Sequence, residues 1–186
     1  MQTYYDVAIV GAGPAGSSTA YYACESGLST VLCDKASFPR RKICGDAVTL
    51  RAQHHLERMG VLGPILEAGQ GRWSAVGGLV SPSGIRYVGD SKKHLGSSLV
   101  VSIKREILDD RLVRAAVSRG AELREGFRVT DAVFDFTAGR WRIISDDGAE
   151  VSATVLVAAD GASSLLARSL GLVERRAEAV CSSVYI

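Results

Sequence analysis

The stretch FPRRKICGDAVTLRA brings together side chains that can move protons. Its thiol, Cys44, follows three cations, Arg40 to Lys42, and precedes the carboxylate of Asp46. These cations, and a helix N-terminus expected at Ala47 or Val48, would favour the thiolate form of Cys44. The stretch therefore predicts a proton donor or reactive thiolate at Cys44, with a small residue packed beside a ligand as the alternative.

A glycine fingerprint, GAGPAG, has the spacing needed to bind a dinucleotide diphosphate. Gly11 would make the tight turn, Gly13 would let the backbone approach the phosphates, and Gly16 would allow close helix packing. Pro14 suits the first turn of a helix whose N–H groups face the phosphates. Asp34 follows at close to the roughly 20-residue spacing of a carboxylate that binds a ribose hydroxyl. The alternative is a glycine-rich turn without a ligand.

A second turn, Asp160-Gly161, follows the apolar run Thr154 to Ala158. Ligands of open α/β sheets bind at the carboxyl ends of strands, so this turn is a candidate for the same site. An ordinary Asp-Gly turn is the alternative. The glycine fingerprint alone does not distinguish FAD from NAD.

These residues need an α/β scaffold to position them. Tyr5 to Val10 and Ser29 to Cys33 are typical of buried parallel strands, and the small residues between Pro14 and Gly27 predict a helix packed on them. A β-meander is expected over residues 129–145. The pattern predicts a Rossmann-like domain with a parallel sheet.

Short strands at 72–80, 85–88 and 99–102 predict an antiparallel segment inserted at about residues 72–102, on the substrate side. A helix with an apolar stripe begins at Arg105, and another is expected over Ser163 to Leu170.

Composition excludes several classes of protein. The 186 residues are 47% hydrophobic, and a net charge of +2 is too mild to indicate nucleic-acid binding. Four cysteines without CxxC spacing, and adjacent His54 and His55 that would not share a helical face, predict neither disulfides nor a metal site. Without a signal or membrane span, we expect a cytoplasmic protein, with peripheral membrane contact through Lys92, Lys93 and the cations before Cys44.

The fingerprint, Asp34, Arg105 with its helix, and the VAADGASS motif occur in the order of a group of FAD enzymes that they resemble. The group includes aromatic hydroxylases, flavin halogenases and geranylgeranyl reductases. PRRKICGDAVTLRA resembles the K-x-CGDG-x-TPRA signature of the geranylgeranyl reductases, with Ala47 in place of glycine and Leu50 in place of proline. The tryptophan-rich motif of the halogenases is not found in the sequence.

The resemblance implies FAD as cofactor, with NAD(P)H or another reductant as electron donor. It implies hydride transfer to a carbon–carbon double bond of an isoprenoid lipid or small molecule, with Cys44 as candidate catalytic proton donor. The implied cofactor-binding residues are Gly11, Gly13, Pro14, Ala15, Gly16, Asp34, Lys35, Arg41, Cys44, Gly45, Asp46, Arg105, Asp160 and Gly161.

The run AVCSSVYI is typical of an unfinished strand. We therefore expect residues 1–186 to be the N-terminal, FAD-binding part of a longer enzyme. Two alternatives remain open: an FAD-dependent aromatic monooxygenase, and a non-catalytic FAD-binding fragment that acts with another chain.

Overall fold

The computed structural model describes residues 4–173 and has eleven strands and six helices within them. The strands are β1 (Tyr4–Val10), β2 (Thr30–Cys33), β3 (Ala47–Val48), β4 (Gly71–Ser74), β5 (Val76–Val80), β6 (Arg86–Asp90), β7 (Val100–Ile103), β8 (Glu122–Arg124), β9 (Val129–Asp135), β10 (Arg140–Ser145) and β11 (Glu150–Ala158). The helices are α1 (Pro14–Glu25), α2 (Leu50–Arg58), α3 (Leu62–Glu67), α4 (Ser91–Leu95), α5 (Arg105–Ser118) and α6 (Leu165–Ser169).

The main sheet has six strands in the order β8-β2-β1-β11-β10-β9. The first four run parallel, and β10 and β9 complete the sheet as an antiparallel meander. Along β1, Ile9 faces one apolar core whereas Ala8 and Val10 face the other. Burial on both faces explains why the strand is apolar from Val7 to Val10. The predicted Rossmann-like α/β fold is confirmed.

The helices α1 and α5 cover one face of the sheet, over a core that includes Ile9, Leu32 and Leu112. The core on the opposite face of the sheet contains Ile143 of β10 and Leu166 of α6. This packing leaves the carboxyl ends of β1, β2 and β11 together at one edge of the sheet, because parallel strands end on the same side.

Two small antiparallel sheets accompany the main sheet, and four of their five strands lie between α3 and α5 in the chain. The strands β3, β7 and β4 form one sheet, and β5 and β6 form the other. The single strand expected over 72–80 is wrong, since it breaks at Ala75. There the Ser74 hydroxyl donates to the Val76 carbonyl at 3.0 Å, and the two halves pair with different strands.

The helix start expected at Ala47 or Val48 is also wrong. Both residues form β3, paired with β7, and α2 begins two positions after Val48, at Leu50. The physical reason is that Val48 is buried in the core, which pairing with β7 achieves and an exposed helix start would not.

Candidate cofactor-binding site

The turn between β1 and α1 contains two glycines, Gly11 and Gly16, at which a larger residue would clash with the backbone. Gly11 has a φ of 100°, a conformation that L side chains rarely adopt. A Cβ on Gly11 would overlap the carbonyl oxygen of Ala159, and one on Gly16 would overlap the carbonyl oxygen of Gly11. The chain therefore turns tightly against the end of β11, and α1 starts directly above the sheet.

At Gly13, the N-terminal end of α1 borders a cleft. It is the N-cap of the helix, and neither a capping side chain nor an acid in the first turn competes for the helix start. The first N–H groups of a helix lack intrahelical partners and carry partial positive charge, so they favour an anion. Gly11 and Gly13 line a cleft of about 570 Å³. Pro14 and Ala15 follow in the first turn, and Ala15 is exposed.

Asp34 stands where β2 ends, in the same cleft. Its carboxylate accepts hydrogen bonds from the N–H groups of Ala12, at 2.7 Å, and Ala36, at 2.9 Å. The side chain is buried, and these bonds hold the carboxylate against the glycine turn. The predicted acid is therefore next to the fingerprint in space, as a ribose-binding carboxylate requires.

Arg40 reaches over this turn, and sequence reasoning missed it. Its guanidinium lies 3.2 Å from the carboxylate of Asp109 and 3.8 Å from that of Asp34. A Cβ built on Gly13 would lie 3.8 Å from its Nη2. Arg41, which the resemblance implies as a cofactor-binding residue, also lines the cleft, but its side chain is 95% exposed and its guanidinium lies 3.9 Å from Glu106. Two adjacent arginines offer no sequence signal that separates them, but the structure turns only one inward.

Arg105 is held from within its own helix. Its guanidinium donates to both carboxylate oxygens of the fully buried Asp109, at 2.9 and 3.0 Å. Its backbone N–H lies 3.3 Å from the carboxylate of Asp46. The residue predicted to contact the cofactor is therefore buried at the start of α5, with a fixed direction. Sequence reasoning did not identify Asp109 as its partner.

A second cavity, a groove of about 430 Å³, lies on the other side of the α1 start. It is lined by Pro14 and Ser18 of α1, by Gly45 and residues 47–49, and by Arg105 with the apolar face of α5. Cys44 is exposed at this loop, immediately before Gly45. The predicted residues of the cysteine loop thus adjoin Arg105 and α1 in space.

Asp160 leaves a buried oxygen unused. Its Oδ2 accepts the N–H of Leu165 at 2.7 Å, whereas its Oδ1 is buried without a hydrogen-bond partner among residues 4–173. A buried carboxylate oxygen without a partner is costly, and Asp160 lines the 570 Å³ cleft. A ligand hydroxyl donating to Oδ1 would remove that cost. Next to it, Gly161 has a φ of 84°, and a Cβ there would lie 3.5 Å from the ammonium of Lys42.

Comparison with known proteins identifies the ligand class of the domain. A family model described as an FAD binding domain matches residues 4–184. The chain belongs to this family of FAD-binding domains. The predicted cofactor is therefore FAD, and the site residues of this FAD-binding domain fit it: a helix start for the diphosphate, Asp34 for the ribose and an unpaired oxygen on Asp160.

Relatives of this FAD-binding domain include reductases. Conditioned medium factor receptor 1 of Dictyostelium discoideum is 39% identical over the whole chain, which spans 39% of that protein. Menaquinone reductase of Mycolicibacterium smegmatis is 36% identical over 92% of the chain and 41% of its own length. Digeranylgeranylglycerophospholipid reductase 1 of Methanopyrus kandleri is 31% identical over 91% of the chain and 43% of its own length. The chain thus spans about two fifths of these relatives, and the predicted resemblance is confirmed.

Solved structures share the fold of this FAD-binding domain. A probable FAD-dependent monooxygenase from Pseudomonas aeruginosa superimposes with a TM-score of 0.74 at 19% identity, covering 94% of this chain and 47% of the other. A flavin-dependent halogenase gives a TM-score of 0.75 at 23% identity, covering 92% and 32%. At such identities the likeness shows the fold.

The described thiols of this FAD-binding domain differ in exposure. Burial raises the pKa of the Cys33 thiol from 9.0 to about 12, so it stays protonated and unreactive at neutral pH. Cys24 is half-buried, and Cys44 is exposed. Cys181 and the AVCSSVYI run lie outside the described residues. Among the described cysteines, Cys44 is the accessible thiol of the site.

Other sequence predictions concern the surroundings of the cleft. Lys35 is exposed and lines the cleft beside Asp34. Within residues 4–173 no three His, Cys, Asp or Glu side chains are placed to hold a metal ion. In the same part of the chain, no helix is both long and apolar enough to cross a bilayer.

Proposed function

We propose that this FAD-binding domain serves a flavoenzyme that reduces carbon–carbon double bonds of an isoprenoid substrate. One observation carries the proposal: the exposed Cys44 immediately precedes Gly45, which lines the groove that also contains Arg105. The match to relatives named as a digeranylgeranylglycerophospholipid reductase and a menaquinone reductase supports this substrate class.

The two cavities suit the two ends of FAD. The cleft holds Asp34 for the adenosine ribose, and the start of α1 with Arg40 offers N–H groups and positive charge to the diphosphate. The groove beyond Pro14 is largely apolar, as a flavin ring requires. Gly13 lines the cleft and Pro14 lines the groove, so the cavities adjoin at the start of α1.

Asp46 and Arg105 orient the loop that bears the thiol. The Asp46 carbonyl accepts the N–H of Ile103 at 3.0 Å, and its side chain faces the N–H of Arg105. These contacts tie the loop that bears the Cys44 Sγ to the start of α5, and Gly45 of the same loop lines the groove. We propose that this Sγ, or a water beside it, gives the proton to one alkene carbon.

When bound and reduced, for example by NAD(P)H, the flavin supplies the hydride for the other alkene carbon. The protein's task is then to keep the alkene against the flavin and to hold a proton at Cys44. A Cys44→Ser variant should bind FAD as the native chain does but reduce an isoprenoid alkene at least about tenfold more slowly.

The first experiment is a visible spectrum of the purified chain, followed by titration with FAD and mass spectrometry of any released chromophore. Bound FAD is expected. Asp160→Asn should weaken FAD binding about tenfold, because an amide cannot supply both carboxylate oxygens. Asp147→Asn, on the exposed β10–β11 turn, is the matched control and should bind normally.

Anaerobic incubation of the reduced flavoprotein with a geranylgeranyl lipid then tests the reaction, and saturated product is expected. A folded chain that does not bind FAD would contradict the proposal, because every later step requires the bound flavin. Oxygen uptake with NAD(P)H, driven by an aromatic compound and without alkene reduction, would instead identify the aromatic monooxygenase. FAD binding without either activity would indicate a non-catalytic fragment.

A further inference from the structure

The β5–β6 hairpin projects with both of its faces in water. On one face Leu79 lies opposite Tyr87, with Ile85 next along, and these side chains are 76%, 74% and 72% exposed. On the other face Val80 and Val88 are exposed as well. A two-stranded hairpin is marginally stable alone, and exposed apolar surface of this kind marks an interaction site.

The charge around the hairpin limits what can cover it. Residues 71–96 contain four cations, Arg72, Arg86, Lys92 and Lys93, and one acid, Asp90. The acid is occupied as the N-cap of α4, where it accepts the N–H groups of the two lysines. The segment thus has a net charge of +3 in a chain whose total is +2. The partner that covers the hairpin should therefore have an apolar interior and an anionic surface.

Three N–H groups at the tip of the hairpin form hydrogen bonds within the tip. The N–H of Ser81 donates to the Ile85 carbonyl, and that of Gly84 to the Ser81 carbonyl, both at 2.9 Å. The N–H of Ile85 donates to the Ser81 hydroxyl at 3.0 Å. An apolar medium penalises unpaired N–H groups, so these three hydrogen bonds lower the cost of shallow insertion into lipid.

We infer that this hairpin and α4 dock on the surface of an anionic lipid bilayer. Leu79, Ile85 and Tyr87 enter the boundary between headgroups and acyl chains, where tyrosine is favoured. Lys92 and Lys93 meet the anionic headgroups. Docking would bring the domain to the lipid substrate of the proposed function, and its role in catalysis rests on that function.

Flotation of the purified chain with lipid vesicles tests the docking. Binding is expected to vesicles of phosphatidylcholine with phosphatidylglycerol, to weaken with salt, and to be weak with phosphatidylcholine alone. Leu79→Ser with Ile85→Ser should lower the partition coefficient about tenfold or more, and Lys92→Gln with Lys93→Gln about tenfold.

Matched variants elsewhere on the surface are the controls. Phe136→Ser with Leu172→Ser removes two side chains that are 89% and 72% exposed, and should leave vesicle binding unchanged. Arg111→Gln with Arg140→Gln removes two positive charges outside the hairpin, and should also leave it nearly unchanged. Circular dichroism confirms that each variant is folded.

Three outcomes overturn the docking. One is a wild-type chain that does not float with anionic vesicles. Another is vesicle binding that the hairpin and control variants reduce equally. The third is a dimer that becomes monomeric with Leu79→Ser and Ile85→Ser but does not bind vesicles, since a second copy would then cover the hairpin. FAD titration of the same samples reports separately on the proposed function, so either can fail without the other.

Discussion

At the scale of single residues, the site depends on one buried carboxylate that holds two cations. Asp109 is fully buried on α5, and its oxygens receive Arg105 in a bidentate pair and Arg40 at 3.2 Å. Arg40 also lies over the ring of Phe38, 4.9 Å from its centroid. Asp109 therefore sets the direction of both guanidinium groups.

Replacing Asp109 by alanine should therefore unfold the domain more easily. The change leaves two cations without their buried partner, and we expect a loss of about 3–5 kcal/mol in the free energy of unfolding. Urea denaturation measures it. Asp110→Ala is the matched control, because its partner Arg114 is half exposed and such a pair contributes about 1 kcal/mol or less. Equal effects of the two changes would contradict the role of Asp109.

The buried thiol of Cys33 makes stability depend on alkaline pH. Its pKa is about 12 in the folded chain against an ordinary 9.0. Below pH 9 the thiol is protonated in both the folded and the unfolded chain, so its full contribution to stability is present. Above pH 9 the thiol ionises in the unfolded chain but not in the folded one. Stability should therefore fall as the pH rises from 9, by about 1.4 kcal/mol per unit, until the folded thiol ionises near 12.

Urea denaturation at pH 8 and about pH 10 measures this slope. Cys33→Ala should be less stable than the native chain at pH 8 but lose less stability on going to the higher pH. Cys24→Ala retains Cys33 and should keep the slope of the native chain. A slope that survives the loss of Cys33 would rule out this thiol as its source.

At the scale of elements, the β1–α1 turn is the rigid part of the site. Three segments meet there without room for a side chain: the end of β1, the first turn of α1 and the residue after β11. This contact aligns the helix start with Asp34 and Asp160, each of which follows a strand of the parallel sheet.

Gly16→Ala should push the first turn of α1 away from Gly11 at the end of β1. The new Cβ would overlap the Gly11 carbonyl, so α1 must move, at a cost of about 2 kcal/mol or more and with FAD affinity reduced at least about tenfold. Thermal unfolding and FAD titration measure the two effects. Gly63→Ala is the control, because a Cβ there meets no atom within 4 Å, and its stability should be unchanged or slightly higher. Normal FAD binding by Gly16→Ala would contradict the need for this turn.

At the scale of the whole molecule, stability is unevenly distributed. The six-stranded sheet has a core on each face, whereas β5–β6 is exposed over most of its length. The loop that carries Arg41 and Lys42 is exposed too, but it borders the cofactor cleft. Segments with few buried contacts open first.

Limited trypsin digestion should therefore cut first at two places: after Arg41 or Lys42, and within the segment from Arg86 to Lys93. Added FAD should protect the first place and leave the second open, because only the first borders the cleft. Mass spectrometry of early fragments identifies the cuts. Early cleavage inside α5, or protection of neither place by FAD, would contradict this distribution of stability.

Much of the fold was predictable because its signals are local. The β1 run, the glycine fingerprint and the meander follow from apolar periodicity and turn chemistry, which a few neighbouring residues specify. The break at Ala75 was not predictable, since it depends on which distant strands pair with β4 and β5. The error at Ala47 and Val48 has the same cause. A helix start was expected there, but pairing with the distant strand β7 outweighs the local preference for helix.

The sequence by itself determined the dinucleotide-binding glycine turn and the acids that end strands, because backbone geometry allows few residue types at those positions, whereas FAD was implied by the resemblance to a known family. Only the tertiary structure decided that Arg40 rather than Arg41 turns inward, that Asp109 holds Arg105, and that one oxygen of Asp160 remains unpaired. Such choices depend on burial and on charges brought together from distant parts of the chain, which spacing along the sequence does not encode.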